Sequence, residues 1–115
     1  MTSIYKILRR EEWLVADRAG AFTGSAVDLR DGYIHFSTAA QAQETARRHF
    51  RDQADLVVLE VDAAALGAAL VWEPSRGGAL FPHLYGSLAP AHVVIVHEAP
   101  LEADGVPVLA FLGKT

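Results

Sequence analysis

Leu56-Val57-Val58-Leu59 places four apolar residues in succession within a segment, Leu56 to Val61, that shows no clean polar alternation. Successive side chains of a strand point to opposite faces, so a strand with this pattern needs apolar cover on both sides. The segment therefore predicts the centre of a sheet with packed layers above and below it. A chain of 115 residues, 51% hydrophobic and 21% charged, supplies those layers as one domain spanning residues 1–115. Such a domain holds its own core, has a radius of gyration of about 13 Å and leaves no room for a second domain.

Charge and cysteine usage narrow the function. Ten Lys and Arg stand against fourteen Asp and Glu, a net charge of −4. Binding to a phosphate backbone runs on counterion release by clustered cations, so nonspecific nucleic-acid binding is not expected as the main activity. The absence of Cys removes disulfide frameworks, thiolate nucleophiles and thiolate metal sites. Met1 to Leu8 has no basic stretch leading into a long apolar run, and no segment approaches the length of a membrane span. The expectation is a cytoplasmic protein with no membrane partner.

Around the central segment the pattern predicts further elements. Ser3 to Leu8 reads as a strand with Tyr5 and Ile7 on one face and Ile4, Lys6 and Leu8 on the other. Glu11 to Ala19 reads as a helix stopped by Gly20, and Ala21 to Gly32 as an ordered loop. Tyr33 to Ser37 predicts a short strand sending Ile34 and Phe36 one way and Tyr33, His35 and Ser37 the other. Thr38-Ala39-Ala40-Gln41 matches a capping box opening a helix to about Phe50, with Ala39, Ala42, Ala46 and Phe50 on its packing face. Asp62 to Gly67 predicts one helical turn, Ala69 to Trp72 a strand, Glu73 to Gly78 a loop, Phe81 to Gly86 an edge or irregular strand because of Pro82, and Val93 to Val96 a last strand. Trp13 and Trp72 are expected to anchor the core. The class is α+β, with two main helices and a mixed or mostly antiparallel sheet.

Two groups of residues carry candidate chemistry. His35, with Ser37 and Thr38, lies just before a helix start, where free amides and partial positive charge suit an anion and the imidazole can move a proton beside it. Glu73, Arg76, His83 and Tyr85 fall within thirteen residues, with His83 and Tyr85 on one face. Arg76, flanked by Ser75 and Gly77-Gly78, has room to fork onto a carboxylate or phosphate, or to pair with Glu73. Metal-ligand spacings such as H-x-H and the serine elbow G-x-S-x-G are not present. His49, His92 and His97 read as helix-face or strand-end residues.

Taken in order, Ile4-Tyr5-Lys6-Ile7, Trp13, Gly24-Ser25, Asp31 through Ser37, Gln43 with Thr45-Ala46, Asp55 through Leu59 and Glu73 through Gly86 resemble the bacterial Domain of Unknown Function 952 family across nearly the whole chain. That family is similar, more remotely, to the ADP-ribosyltransferase-like fold, whose members use NAD. In that superfamily a first-strand aromatic-His pair and a later strand ending in Ser-Thr frame the nicotinamide site. Tyr5-Lys6 and His35-Phe36-Ser37-Thr38 look like these two elements, with Lys6 where the histidine is expected and Glu73 a candidate for the transferase glutamate. The resemblance implies a pocket for NAD or a related nucleotide with weak or no transferase activity, His35, Glu73 and His83 being the candidate catalytic residues. Tyr5, Lys6, Ser37, Thr38, Arg76 and Tyr85 would then bind the cofactor. A noncatalytic module for a peptide or small anionic metabolite, using the Arg76 loop, and a small metal-assisted hydrolase are the alternatives.

Overall fold

A computed structural model describes residues 1–75 and 77–113. The central segment forms strand β3 (Leu56–Asp62), flanked by β1 (Ser3–Arg9) and β6 (Val93–Ala99) in the order β1-β3-β6, all antiparallel. Val57, Leu59 and Val61 pack into one apolar cluster, Leu56 and Val58 into another. The strand is thus covered on both faces, as its sequence requires. β1 divides as its alternation predicts, Ile4 and Leu8 joining the first cluster and Tyr5 and Ile7 the second.

Helix α1 (Arg10–Ala19) contributes Ala16 and Trp13 to the first cluster and ends at Gly20, whose φ of 83° is the left-handed conformation that glycine adopts without strain. Helix α3 (Ala39–His49) lays Ala42 and Ala46, both fully buried, on the second cluster. Its capping box is in place, with the Gln41 side chain accepting from the Thr38 amide at 3.0 Å. Ala39 is exposed, while Ala42 and Ala46 face the sheet and Phe50, just past the helix, packs partly buried against the same cluster. The chain beyond β6 returns to close this layer. Leu109 is buried there, and the Gln43 side chain donates to the Pro107 carbonyl and accepts from the Leu109 amide.

The second half departs from a single sheet. A separate three-stranded antiparallel sheet forms, in the order β2-β5-β4, from β2 (Ile34–His35), β5 (Ala79–Leu84) and β4 (Leu70–Ser75). Ile34, Phe36 and Leu84 join the first cluster, so the two sheets share one core. Ser37 and Tyr5 exchange backbone hydrogen bonds of 2.8 and 2.9 Å where the sheets meet. The radius of gyration is 13.2 Å. Among the described residues, no helix is long and apolar enough to cross a membrane.

Five expectations need correction. The stretch expected to be loop between Ala21 and Gly32 contains a helix, α2 (Ala26–Asp31), bounded by Ser25 and Gly32. Glu73 and Ser75 belong to β4 rather than to a loop, because β4 and β5 pair as far as Ser75 and Ala79. Pro82 sits in the middle strand of its sheet rather than on an edge. Its carbonyl accepts from the Phe36 amide at 3.0 Å, and its ring nitrogen, on the same edge, cannot donate back. Regular pairing of β2 accordingly stops at His35, short of the five residues expected. Finally, Trp13 packs on the core but Trp72, on the outer strand of its sheet, is 41% exposed.

Candidate functional site

The register of the second sheet places His35 directly opposite His83, and His83 opposite Val71. Since side chains alternate along each strand, Glu73, two residues beyond Val71, shares the face of both imidazoles. Tyr33 and Tyr85 close the group. The ring centres of His35 and His83 lie 5.6 Å apart at 67°, and Tyr33 stacks on His83 at 4.0 Å and leans on His35 at 4.6 Å. Tyr33 was not singled out from the sequence, although the alternation put it on this face.

Each imidazole is fixed through Nδ1 by a carboxylate. Glu73 Oε1 accepts from His83 Nδ1 at 2.8 Å and from the Tyr85 hydroxyl at 2.8 Å. These two bonds, that from His83 foremost, hold the Glu73 carboxyl below its ordinary range. Asp28 Oδ1 accepts from His35 Nδ1 at 2.6 Å and from the His35 amide at 3.1 Å. On the exposed side of the same ring, Nε2 meets Asp31 at 3.0 Å.

Asp28 is the residue that sequence reading missed. It is 2% exposed, and besides His35 it accepts from the Ser25 amide at 2.8 Å and from Lys6 Nζ at 2.7 and 2.9 Å. Burial alone would push its carboxyl up. The hydrogen bond from His35 and the charge of Lys6 outweigh burial and hold it at about 2. Burial also pulls the Lys6 ammonium down, with Asp28 opposing. The signal was available: Ser25-x-x-Asp28 is a capping-box spacing, and Asp28 is the N3 residue of α2.

A cavity of about 650 Å³ opens where β1, α2, α3 and β5 meet, lined by Tyr5, Lys6, His35, Ser37 and His83 among others. Its size falls in the range of small-molecule sites. Ser37 Oγ is hydrogen-bonded to Thr45 Oγ1 at 2.9 Å, and Arg9, Arg30 and Arg48 reach the rim. His49, read only as a helix-face residue, lines it too.

Five of the nine sequence-selected residues therefore meet at one cavity. Lys6 does so with its ammonium committed to Asp28. Thr38 caps α3, and Glu73 and Tyr85 stand behind His83 without lining the cavity. Arg76 lies outside the described residues. Among the described residues, no three His, Asp or Glu side chains gather as a metal-ligand set.

A family model described as "Protein of unknown function (DUF952)" matches residues 7–96. The chain belongs to the DUF952 family. This DUF952 chain is similar to protein CC0527 from Caulobacter crescentus: against its X-ray crystal structure the identity is 56%, with 97% of this chain and 99% of that chain covered and a TM-score of 0.95. Against the solution NMR structure of CC0527 the identity is 58%, with 95% and 94% covered and a TM-score of 0.85. No curated protein matches the chain. The DUF952 assignment thus carries a fold and no activity, and function must be argued from the cavity.

Proposed function

We propose that the cavity binds a nucleotide-class anion, with NAD as the first candidate, and that transferase activity is weak or lacking. The observation that supports this most is the convergence of His35 and His83 on one cavity of about 650 Å³ whose rim carries Arg9, Arg30 and Arg48. Among the described residues these arginines, themselves exposed, pair with carboxylates that solvent reaches in part, Arg9 with Glu12, Arg30 with Asp31 and Arg48 with Glu44. Exposed pairs of this kind contribute little and exchange readily for a phosphate oxygen.

On this reading His35 and His83, side by side on one face of the second sheet, line the binding space together with Ser37 and Tyr5. Lys6 acts through Asp28, keeping His35 in place, rather than by touching the ligand. Tyr85 acts through Glu73 in the same way, Thr38 by starting α3, and Arg76 remains a proposed phosphate contact. The resemblance to ADP-ribosyltransferase-like domains favours NAD over other nucleotides. Glu73 is bonded to both His83 and Tyr85, so it is not poised as a free transferase carboxylate.

Calorimetric titration with NAD, AMP and inorganic phosphate tests the proposal. Saturable binding of NAD or AMP, weakened at least about tenfold in His83→Ala, is the expected outcome. Binding of phosphate alone would favour the module for a small anionic metabolite, and no heat with any of the three would overturn the nucleotide reading.

A further inference from the structure

The two imidazoles differ in what their second nitrogens face. His83 gives its Nδ1 hydrogen to Glu73, which leaves Nε2 as the acceptor of the neutral ring. Among the described residues that nitrogen has no hydrogen-bond partner, and no buried side-chain nitrogen or oxygen lacks one. The ring that carries this nitrogen lines the cavity. His35 faces carboxylates at both nitrogens, Asp28 at Nδ1 and Asp31 at Nε2, and carboxylates only accept. Both bonds are made when both nitrogens carry hydrogen. One ring is thus arranged to take a proton and the other to give one, with centres 5.6 Å apart.

Among the described residues, the chain joins no side-chain nucleophile to either imidazole by a hydrogen bond. It has no Cys, Ser37 Oγ is bonded to Thr45, and the side-chain hydrogen bonds of both imidazoles go to carboxylates. The attacking group is then taken from the substrate, and the three rim arginines, outnumbering the lining carboxylates Glu12 and Asp31, favour an anion. We infer that His83 and His35 serve as base and acid for cleavage of a ribonucleotide phosphodiester by its own 2′-hydroxyl. This rests on the nucleotide reading of the cavity and adds a reaction to it.

In the step, His83 Nε2 removes the 2′-hydroxyl proton as the 2′-oxygen forms a bond to phosphorus. The bond from phosphorus to the 5′-oxygen breaks, and His35 Nε2 gives its proton to that leaving oxygen. The products are a 2′,3′-cyclic phosphate and a free 5′-hydroxyl, with no oxidant or metal needed. His83 ends protonated and His35 neutral, and exchange with water restores both. Asp31, which is partly exposed and paired with Arg30, yields its place on His35 Nε2 to the substrate. General acid-base partners of this kind contribute typically 10²–10⁴-fold each.

The experiment incubates the protein with uridylyl-(3′→5′)-adenosine and separates products by chromatography, while the 2′-deoxy dinucleotide is titrated into isotope-labelled protein. The expected result is the cyclic phosphate, with the rate reduced at least about 100-fold in His83→Gln and in His35→Gln. It is unchanged in His97→Gln, whose ring bonds Glu60 and stacks on Phe111 and does not line the cavity. Glu73→Gln, a second variant that keeps both imidazoles, should slow the reaction by a smaller factor, and amide spectra establish that each variant is folded. Cleavage that persists in both histidine variants would mark a contaminating nuclease and overturn the inference. Binding of the deoxy dinucleotide without cleavage of the ribo form would overturn the acid-base pair and leave nucleotide binding standing. Neither binding nor cleavage would remove both.

Discussion

Asp28 accepts five hydrogen bonds while nearly sealed from water, and its carboxyl, held at about 2 in the folded chain, titrates near 4 when unfolded. A folded-state value below the unfolded one means stability fully present above pH 4 and lost as pH falls toward 2, by an amount on the order of 2 kcal/mol. Urea midpoints measured at pH 6, 4 and 3 should therefore fall steeply below pH 4, and the fall should flatten in Asp28→Asn. At neutral pH, Asp28→Ala leaves the Lys6 ammonium buried without its partner and should cost about 3–5 kcal/mol, read as a drop in thermal midpoint of more than about 10 °C. A variant that melts with the wild type would show that the pair does not hold the site. Gly24 belongs to the same construction. Its φ is +124°, and a Cβ there would come within 2.8 Å of the Asp28 Cβ. Gly24→Ala should thus destabilise clearly more than Gly20→Ala, where φ is also positive but nothing lies within 4 Å, a difference that paired melting curves resolve.

At the scale of elements, Gln43 ties α3 to the returning tail through two hydrogen bonds, and Gln43→Ala should cost about 1–2 kcal/mol and expose the segment after β6 to limited proteolysis well before the core is cut. How far these elements were legible follows from the kind of signal each carries. The unbroken apolar run of β3, the alternation of β1 and the capping box of α3 are local patterns, and each gave the right element and, apart from the exposed Ala39 of α3, the right faces. Alternation also put His35 with Ser37 and His83 with Tyr85. What local pattern could not supply was the register that sets His35 against His83, since pairing between strands almost fifty residues apart leaves no mark within either. Helix α2 was hidden for a different reason: six residues among glycine, serine and aspartate show too few turns for periodicity, so its capping box passed as loop composition and Asp28 with it. The extent of β4 was misjudged because Glu73-Pro74-Ser75 reads as loop, whereas pairing with β5 overrides that composition.

Over the whole molecule, two antiparallel sheets share one core and leave the outer face of the second sheet free to carry polar side chains. That division of labour makes a cavity of about 650 Å³ with two imidazoles fixed from behind by Asp28 and Glu73. The central claim is that both rings look into this one space and meet the same ligand there. Heteronuclear NMR of the imidazole nitrogens, recorded while NAD is added to the millimolar range, tests it most directly. The account predicts that the Nε2 signals of His35 and His83 move together along one saturation curve while those of His92 and His97 stay in place. Movement of only one of the pair, or of neither, would contradict it.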